Sequence, residues 1–170
     1  SINHSKGKKI AILGCGYSKD SFFLAMQGHS VYPIDFAVKP IEYLHNIKEK
    51  EGLHNLFPIQ KDIFKLSNEY SDFFDIVVEY TCFCAIDPDR RKEYITMVKN
   101  ILKYGGKYVG ILFPLDKDLQ NDGPPFYVDL KKTLLMFDDY LSKQLCEKSM
   151  LSIKPRKNRE AFVVYCKNEI

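Results

Sequence analysis

The residues with the clearest chemical potential form a short glycine-rich stretch, Gly14-Cys15-Gly16, directly after the apolar run 9–13. Glycine has no side chain, so a glycine turn at the end of a buried strand lets the backbone approach a ligand closely. Lys19 is followed by Asp20 rather than by serine or threonine, so the stretch does not fit a nucleoside-triphosphate loop. A third glycine near Lys19 is also absent, which argues against a dinucleotide turn. The carboxylate of Asp20 suits a cationic ligand better than a pyrophosphate.

Asp35 is the second candidate, because it ends the next apolar run at about 20 positions after Gly16. That offset is typical of the acid that binds the two hydroxyls of a ribose. An aspartate in this place can equally cap the N-terminus of a helix. Combined with the glycine turn, Asp35 favours an adenosine-containing ligand that has no pyrophosphate.

Strand-like and helix-like segments alternate along the chain and place these candidates at strand ends. Apolar runs predict strands at 9–13, 31–34, 56–59, 73–80, 107–113, 146–153 and 161–166. Helical spacing predicts helices at 20–28, 40–50, 90–102 and 130–141. Gly105-Gly106 is interpreted as the stop of the third helix, and residues 114–125 as a loop. The alternation predicts an α/β fold, with a mostly parallel sheet, helices on both faces and one antiparallel strand near the C-terminus.

Length and composition exclude several classes of protein. The chain has 170 residues, of which 45% are hydrophobic and 28% charged, as expected for one globular domain over 1–170. We expect no membrane association, because no apolar run reaches the roughly 18 residues that a bilayer requires. The net charge of +3 is small, and the basic cluster 154–159 is interpreted as a solvated loop. Nucleic acid is therefore not an expected partner.

The cysteines and histidines carry weaker signals. Five cysteines without framework spacing, and no secretory signal, indicate reduced thiols and a cytoplasmic location. Cys82 and Cys84 invite a metal site, but a pair separated by one residue is poor zinc geometry without a second pair. We interpret them as buried or pocket-lining thiols and predict no metal. The four histidines are scattered, so a histidine-based hydrolase is not favoured.

Two later motifs give the pattern a family resemblance. Lys61-Asp62-Ile63-Phe64 follows the third strand, and 80–88 is followed by Arg91-Lys92-Glu93-Tyr94 and later by 123–128. With the glycine turn, Asp20 and Asp35, this ordered set resembles the class I S-adenosylmethionine-dependent methyltransferases. Within them it is similar to the thiopurine S-methyltransferase branch and its thiol and halide methyltransferase relatives. The resemblance covers about 8–167 and implies a Rossmann-like sheet of the class I type.

The resemblance also implies roles for individual residues. Residues that would bind S-adenosylmethionine, or its product S-adenosylhomocysteine, are Gly14, Cys15, Gly16, Asp20, Asp35, Phe36, Asp62, Ile63 and Tyr80. The glycine turn would pass under the methionine part, Asp35 would bind the ribose, and Asp62 with Ile63 would meet the adenine. The acceptor pocket would comprise Phe83, Arg91, Pro124, Pro125 and Phe126. Arg91 would stabilise a thiolate there as the candidate catalytic residue, although it can also merely pair with Asp87 or Asp89.

The expected activity is methyl transfer to a small soft nucleophile: a thiol, a thiopurine-like compound, a halide or a metalloid. The reaction would be an in-line displacement by a monomer or a weak homodimer. Some features depart from the family pattern, since Ser18, Glu79 and Cys82 replace its usual residues and little chain precedes Lys8. An N-terminal cover segment is therefore expected to be missing. A non-catalytic or partner-dependent binding domain and, less favoured, a nicotinamide-dependent oxidoreductase remain as alternatives.

Overall fold

A computed structural model of the protein describes residues 7–116, 123–148 and 152–168. The strands are β1 Lys9–Leu13, β2 Ser30–Asp35, β3 Ile59–Gln60, β4 Phe74–Tyr80, β5 Leu102–Leu112, β6 Ser142–Lys148 and β7 Ala161–Cys166. The α-helices are α1 Lys19–Met26, α2 Val38–Glu51, α3 Arg91–Ile101 and α4 Leu130–Asp138. Short 3₁₀ helices cover Ile63–Asn68, Phe83–Ala85, Pro88–Arg90 and Lys154–Arg156.

The strands form one sheet in the order β3-β2-β1-β4-β5-β7-β6. Strands β1 to β5 pair in parallel, whereas β7 runs antiparallel between β5 and β6. This arrangement confirms the predicted α/β fold with its antiparallel strand near the C-terminus. The strand order reverses between β1 and β4, and such a switch point is where open parallel sheets bind their ligands.

Two hydrophobic cores of unequal size cover the two faces of the sheet. Side chains of α3 and α4 join β4, β5 and β7 in the larger core, which contains fully buried Tyr94, Phe137 and Tyr165. Residues of α1 and α2 pack on β1 and β2 in a smaller core that includes Ala25 and Leu44. Helices therefore lie on both faces, as predicted. No helix in the described part of the chain is long and apolar enough to span a membrane.

The third helix and the fifth strand meet at a different place from the one that the sequence predicted. α3 ends at Ile101 because Leu102 is already extended, and β5 begins there. The carbonyls of Asn100 and Ile101 accept hydrogen bonds from the N–H groups of Asp72 and Phe73, which fixes the helix end next to β4. The interpretation of Gly105-Gly106 as a helix stop was therefore wrong, because both glycines lie inside β5.

Two further strands differ from the prediction. The third strand is reduced to Ile59–Gln60, and Leu56 contributes only a bridge to Val31. β6 begins at Ser142, and residues 149–151 of its predicted extension lie outside the described residues. Almost every residue of β6 is exposed, so apolar periodicity carries little information about where that strand begins. Much of the predicted loop 114–125 also lies outside the described residues.

Gly106 of β5 should tolerate substitution poorly. A Cβ atom on Gly106 would lie 2.8 Å from the carbonyl oxygen of Lys103 and 3.1 Å from that of Phe74. We expect Gly106→Ala to lower the free energy of unfolding by about 1–3 kcal/mol, because backbone would have to shift. Gly123→Ala is the matched control, since nothing lies within 4 Å of its added Cβ. Urea unfolding of the two variants checks this, and equal midpoints would contradict it.

Candidate functional site

The glycine turn after β1 contacts both β2 and the segment that follows β4. Gly14 and Gly16 have φ values of +56° and +50°, a region that side chains rarely adopt. Between them, the N–H of Cys15 donates to the carbonyl of Ile34 at 3.0 Å. A Cβ on Gly14 would lie 2.9 Å from the Sγ atom of Cys82, so the turn touches the segment that follows β4.

Asp35 lies at the end of β2 and joins two loops through its carboxylate. Oδ2 accepts a hydrogen bond from the N–H of Gly16 at 2.9 Å, and Oδ1 accepts one from the N–H of Ala37 at 3.0 Å. Asp35 does not cap α2, whose N-cap is Ala37 without a side-chain hydrogen bond. An ionised carboxylate offers about four lone-pair sites, so two remain for the hydroxyls of a ligand.

A cavity of about 560 Å³ opens beyond the carboxyl ends of β1 and β2. Its lining includes five of the predicted cofactor residues: Gly14, Asp35, Phe36, Asp62 and Ile63. Asp62 accepts a hydrogen bond from the N–H of Phe64 at 3.0 Å and so caps the 3₁₀ helix Ile63–Asn68. This cavity therefore offers a buried carboxylate at one end and an apolar wall with a capped helix start at the other.

Arg90 is a lining residue that the sequence analysis missed. Its guanidinium lies 3.6 Å from the ring centroid of Phe64 and forms two hydrogen bonds with Glu93, at 2.8 and 3.0 Å. These contacts keep the guanidinium plane beside the cavity that it lines. A charged residue at the start of a helix is normally expected to be solvated, so no local sequence pattern pointed to Arg90 as a lining residue.

The other predicted cofactor residues lie apart from this cavity. Gly16 donates its N–H to the carboxylate of Asp35, and Cys15 packs in the smaller core beside α1. Asp20 and Tyr80 line a separate groove of about 800 Å³ along β4 and β5. The structure therefore places five of the nine predicted cofactor residues in the cavity and two in this groove, while Cys15 and Gly16 line neither.

Arg91 connects the predicted acceptor residues, of which only Arg91 and Phe83 are buried. Arg91 is 6% exposed and donates to the carbonyls of Tyr127 and Phe126, at 3.1 and 3.5 Å. Its guanidinium also lies over the ring of Phe83, which is 1% exposed. Arg91 therefore forms no ion pair with Asp87 or Asp89, the alternative left open by the sequence. The N–H of Phe126 donates to the carbonyl of Cys84 at 2.8 Å and brings this segment to the turn after β4.

Pro124 and Pro125 lie at the exposed outer end of the same segment. A cis peptide bond joins them, and another joins Phe113 to Pro114. The predicted acceptor set is thus one continuous region, but none of its five members lines the 560 Å³ cavity, and Phe83 faces the core.

The basic cluster 154–159 is a solvated loop only in part, because Lys154 and Lys157 are exposed whereas Arg156 and Arg159 are half-buried. The guanidinium of Arg156 lies 4.8 Å from the ring centroid of Tyr80 and 4.7 Å from that of Phe113. Arg159 forms an ion pair with Asp116 at 2.7 Å. A guanidinium is attracted to the face of an aromatic ring, so such contacts keep an arginine half-buried instead of fully solvated. The cluster therefore folds over the carboxyl ends of β4 and β5.

The thiols around the site are protonated. Burial raises the pKa of Cys15 to about 12 and that of Cys84 to about 11, and it also raises the pKa of Cys82. All five cysteines are free. Within the described residues, no group of three or more histidine, cysteine, aspartate or glutamate side chains could hold a metal ion.

Comparison with known proteins agrees with this geometry. The family described as "Thiopurine S-methyltransferase (TPMT)" matches residues 1–170. A "Probable thiol methyltransferase 2" of Arabidopsis thaliana is 28% identical over 127 residues, which are 73% of this chain and 54% of that protein. A "Thiopurine S-methyltransferase" of Vibrio parahaemolyticus is 26% identical over 152 residues, 81% of this chain and 68% of that protein. The chain thus spans between about half and two thirds of the length of these relatives.

Solved structures show the same fold. A Burkholderia thailandensis 1,6-didemethyltoxoflavin-N1-methyltransferase, solved with S-adenosylhomocysteine, superposes with a TM-score of 0.78 at 14% identity. The superposition covers 96% of this chain and 72% of that one. At this identity the likeness concerns the fold alone.

The contact between Gly14 and Cys82 should show up as coupling between two substitutions. Gly14→Ala forces a side chain both into a positive φ and onto Sγ of Cys82, whereas Gly16→Ala meets only the φ penalty of about 1–2 kcal/mol. We expect Gly14→Ala to destabilise the fold by about 1 kcal/mol more than Gly16→Ala does. Adding Cys82→Ala should recover part of the loss in the first variant and none in the second. Additive effects in a urea double-mutant cycle would refute the contact.

Proposed function

This chain belongs to the thiopurine S-methyltransferase family, and we propose that it transfers a methyl group from S-adenosylmethionine to a small soft nucleophile. The acceptor would be a thiol, a thiopurine-like compound, a halide or a metalloid. Asp35 is the observation that carries this proposal, because its buried carboxylate keeps two acceptor sites at the switch point of the sheet. The seven strands share one sheet, which supports a single domain.

The cofactor would lie across the cavity at the ends of β1 and β2. Asp35 would bind the ribose hydroxyls, and the adenine would lie against Ile63 and Phe64 with Asp62 at its edge. The methionine end would extend past Gly14 toward the groove of Asp20 and Tyr80. The carboxylate of Asp20 in that groove suits the cationic ammonium of the cofactor.

S-adenosylmethionine supplies a methyl group on a sulfonium, which is already a good leaving group. The chain therefore needs no nucleophile of its own, and its main work is to hold the acceptor in line with the methyl group. Such positioning contributes about 7–11 kcal/mol to lowering a barrier. The chain's own thiols near the site remain protonated, so they do not compete as acceptors. Free thiols throughout also favour a reducing compartment such as the cytoplasm.

Two arginines would favour an anionic acceptor. Among the described residues, neither Arg91 nor Arg156 forms an ion pair with a carboxylate. Both lower the pKa of the Cys84 thiol against the larger effect of burial, so both lie within electrostatic reach of the turn after β4. An unpaired cation lowers the free energy of a nearby thiolate or halide. Binding of cofactor without turnover would instead indicate a partner-dependent binding domain.

Asp35 should determine affinity for the cofactor product. We expect Asp35→Asn to raise the Kd for S-adenosylhomocysteine about tenfold to a hundredfold, since a hydrogen bond to a charged group contributes about 1.5–3 kcal/mol. Asp75→Asn is the matched control, because Asp75 is a half-buried carboxylate that binds Lys9 and Lys103 instead. Calorimetric titration measures both. Unchanged affinity in Asp35→Asn, or saturable binding of NADH, would refute the proposed cofactor site.

Arg156 should affect the acceptor and not the cofactor. We expect Arg156→Gln to raise the KM for iodide or a thiol about threefold to tenfold, because an anion loses one nearby cation. The Kd for S-adenosylhomocysteine should stay within about twofold. Lys157→Gln removes an equal charge from the exposed residue that follows the same 3₁₀ helix and should change neither constant. Steady-state kinetics test this, and equal effects of the two substitutions would contradict a specific role for Arg156.

A further inference from the structure

Glu79 is a buried carboxylate that the transfer reaction does not use directly. It lies near the end of β4 and is 1% exposed. Oε2 accepts hydrogen bonds from the N–H groups of Cys82 and Phe83, at 3.0 and 2.9 Å. Oε1 accepts one from the N–H of Ile111 at 3.1 Å. One side chain therefore joins the turn after β4 to the neighbouring strand β5.

The turn that Glu79 holds forms a wall of the proposed cofactor cavity. Cys82, Ala85 and Ile86 line that cavity, and the Sγ atom of Cys82 packs against Gly14. Hydrogen bonds to an ionised acceptor are about twice as strong as those to a neutral one. The wall therefore depends on the charge of Glu79 as well as on its shape.

Glu79 has a buried tyrosine hydroxyl close to its carboxylate. Gly110 pairs with Glu79 across the sheet, and a Cβ on Gly110 would lie 2.9 Å from Oε1 and 2.7 Å from the hydroxyl of Tyr108. The hydroxyls of Tyr108 and Tyr94 are buried, and neither makes a hydrogen bond of good geometry among the described residues. The Tyr108 hydroxyl faces the carboxylate, so it can donate to the carboxylate or accept from a carboxylic acid.

The titratable groups packed against Glu79 are Tyr108 of β5, Tyr94 of α3, and Cys82 and Cys84 of the turn. The carboxylates of Asp20, Glu147 and Glu160 line the same groove as Glu79. Burial raises the pKa values of the two tyrosines and the two cysteines, so they stay neutral near pH 7. Burial also raises the pKa of Glu79 to about 7, although its three N–H donors and Tyr108 act in the opposite direction. Among Glu79, these tyrosines and these cysteines, only Glu79 therefore changes its charge near neutral pH.

We propose that Glu79 is a positioning residue: its ionised carboxylate holds the turn 82–86 in the shape that binds the cofactor, and its protonation weakens cofactor binding. This inference rests on the proposed S-adenosylmethionine site. It gives that site a dependence on pH that arises in the support of the turn 82–86. Glu79 also lines the groove proposed for the methionine end of the cofactor, but at 1% exposure it offers that ligand almost no surface.

Stability and affinity should respond to pH in opposite directions. Folding raises the pKa of Glu79 from 4.5 to about 7, so the folded protein binds its proton more tightly than the unfolded chain does. The stabilisation from this group is fully present below pH 4.5 and is lost as the pH rises through about 7. Affinity for the cofactor would instead increase over the same range. A general loosening of the fold at low pH would lower both together.

The test measures the Kd for S-adenosylhomocysteine between about pH 6 and pH 8, with amide hydrogen exchange of the segment 80–87 in the free protein. In the wild type we expect the Kd to fall about threefold to tenfold as the pH rises, since protonation can change affinity at most tenfold per pH unit. Exchange of the segment, corrected for its intrinsic rate, should slow over the same range. Glu79→Gln should show weak binding and fast exchange at every pH.

Three further variants separate positioning from a merely structural role. Glu79→Asp keeps the charge and should retain a pH dependence. Tyr108→Phe removes a hydroxyl that lowers the pKa of Glu79, so its midpoint should move to higher pH. Asp75→Asn, on the same strand, should keep the wild-type profile. The wild-type titration needs no variant, so a poorly folded Glu79→Gln would leave the test intact.

The outcomes distinguish the inference from the function on which it rests. Exchange that does not change with pH would overturn the role of Glu79. Exchange that changes while the Kd stays constant would overturn the coupling to the cofactor. Exchange that changes as expected, with no binding at any pH, would preserve the control of the turn and refute the cofactor site.

Discussion

The site depends on the close approach of two turns, one after β1 and one after β4, at Gly14 and Cys82. A Cβ atom added to Gly14 would lie 2.9 Å from Sγ of Cys82, so the two turns pack against each other with no space for a side chain between them. Each turn has its own carboxylate. Asp35 holds the first through the N–H of Gly16, and Glu79 holds the second through two N–H groups. The cavity lies between the two turns that Asp35 and Glu79 hold in place.

Charge is distributed unequally around that space. Asp35 and Asp62 supply acceptors on the side of β2 and β3, as the donors of a ribose and an adenine would require. Arg91 and Arg156 lie on the other side, held by backbone carbonyls and aromatic rings rather than by carboxylates. The thiols between them are neutral because burial raises their pKa values. A molecule that donates hydrogen bonds at one end and meets an anion at the other suits this arrangement.

The sequence predicted the sheet well because its inner strands are buried on both faces and read as short apolar runs. β1, β2 and β4 lie close to their predicted bounds for this reason. Asp35 was predictable because parallel strands place their carboxyl ends on one edge. The junction of α3 with β5 was not, since the two elements meet without a loop and the glycines that suggest a stop lie within the strand.

Side-chain partners were harder to predict than strands. Arg90 and Arg91 are adjacent, yet the first lines the cavity and the second binds the carbonyls of a distant segment. Arg90 ends the 3₁₀ helix Pro88–Arg90 and Arg91 begins α3, so the two side chains project in different directions. The same limit applies to Arg156, whose ring partners lie 43 or more positions away in the chain. Contacts between residues so far apart in the chain cannot be predicted from local sequence patterns.

A crystal structure of this chain with S-adenosylhomocysteine would test the central claim most directly. The account predicts the ribose hydroxyls on the carboxylate of Asp35 and the adenine against Ile63 and Phe64, with both turns unmoved. A ligand found only in the groove of Asp20 and Tyr80, or a ribose that makes no contact with Asp35, would contradict it.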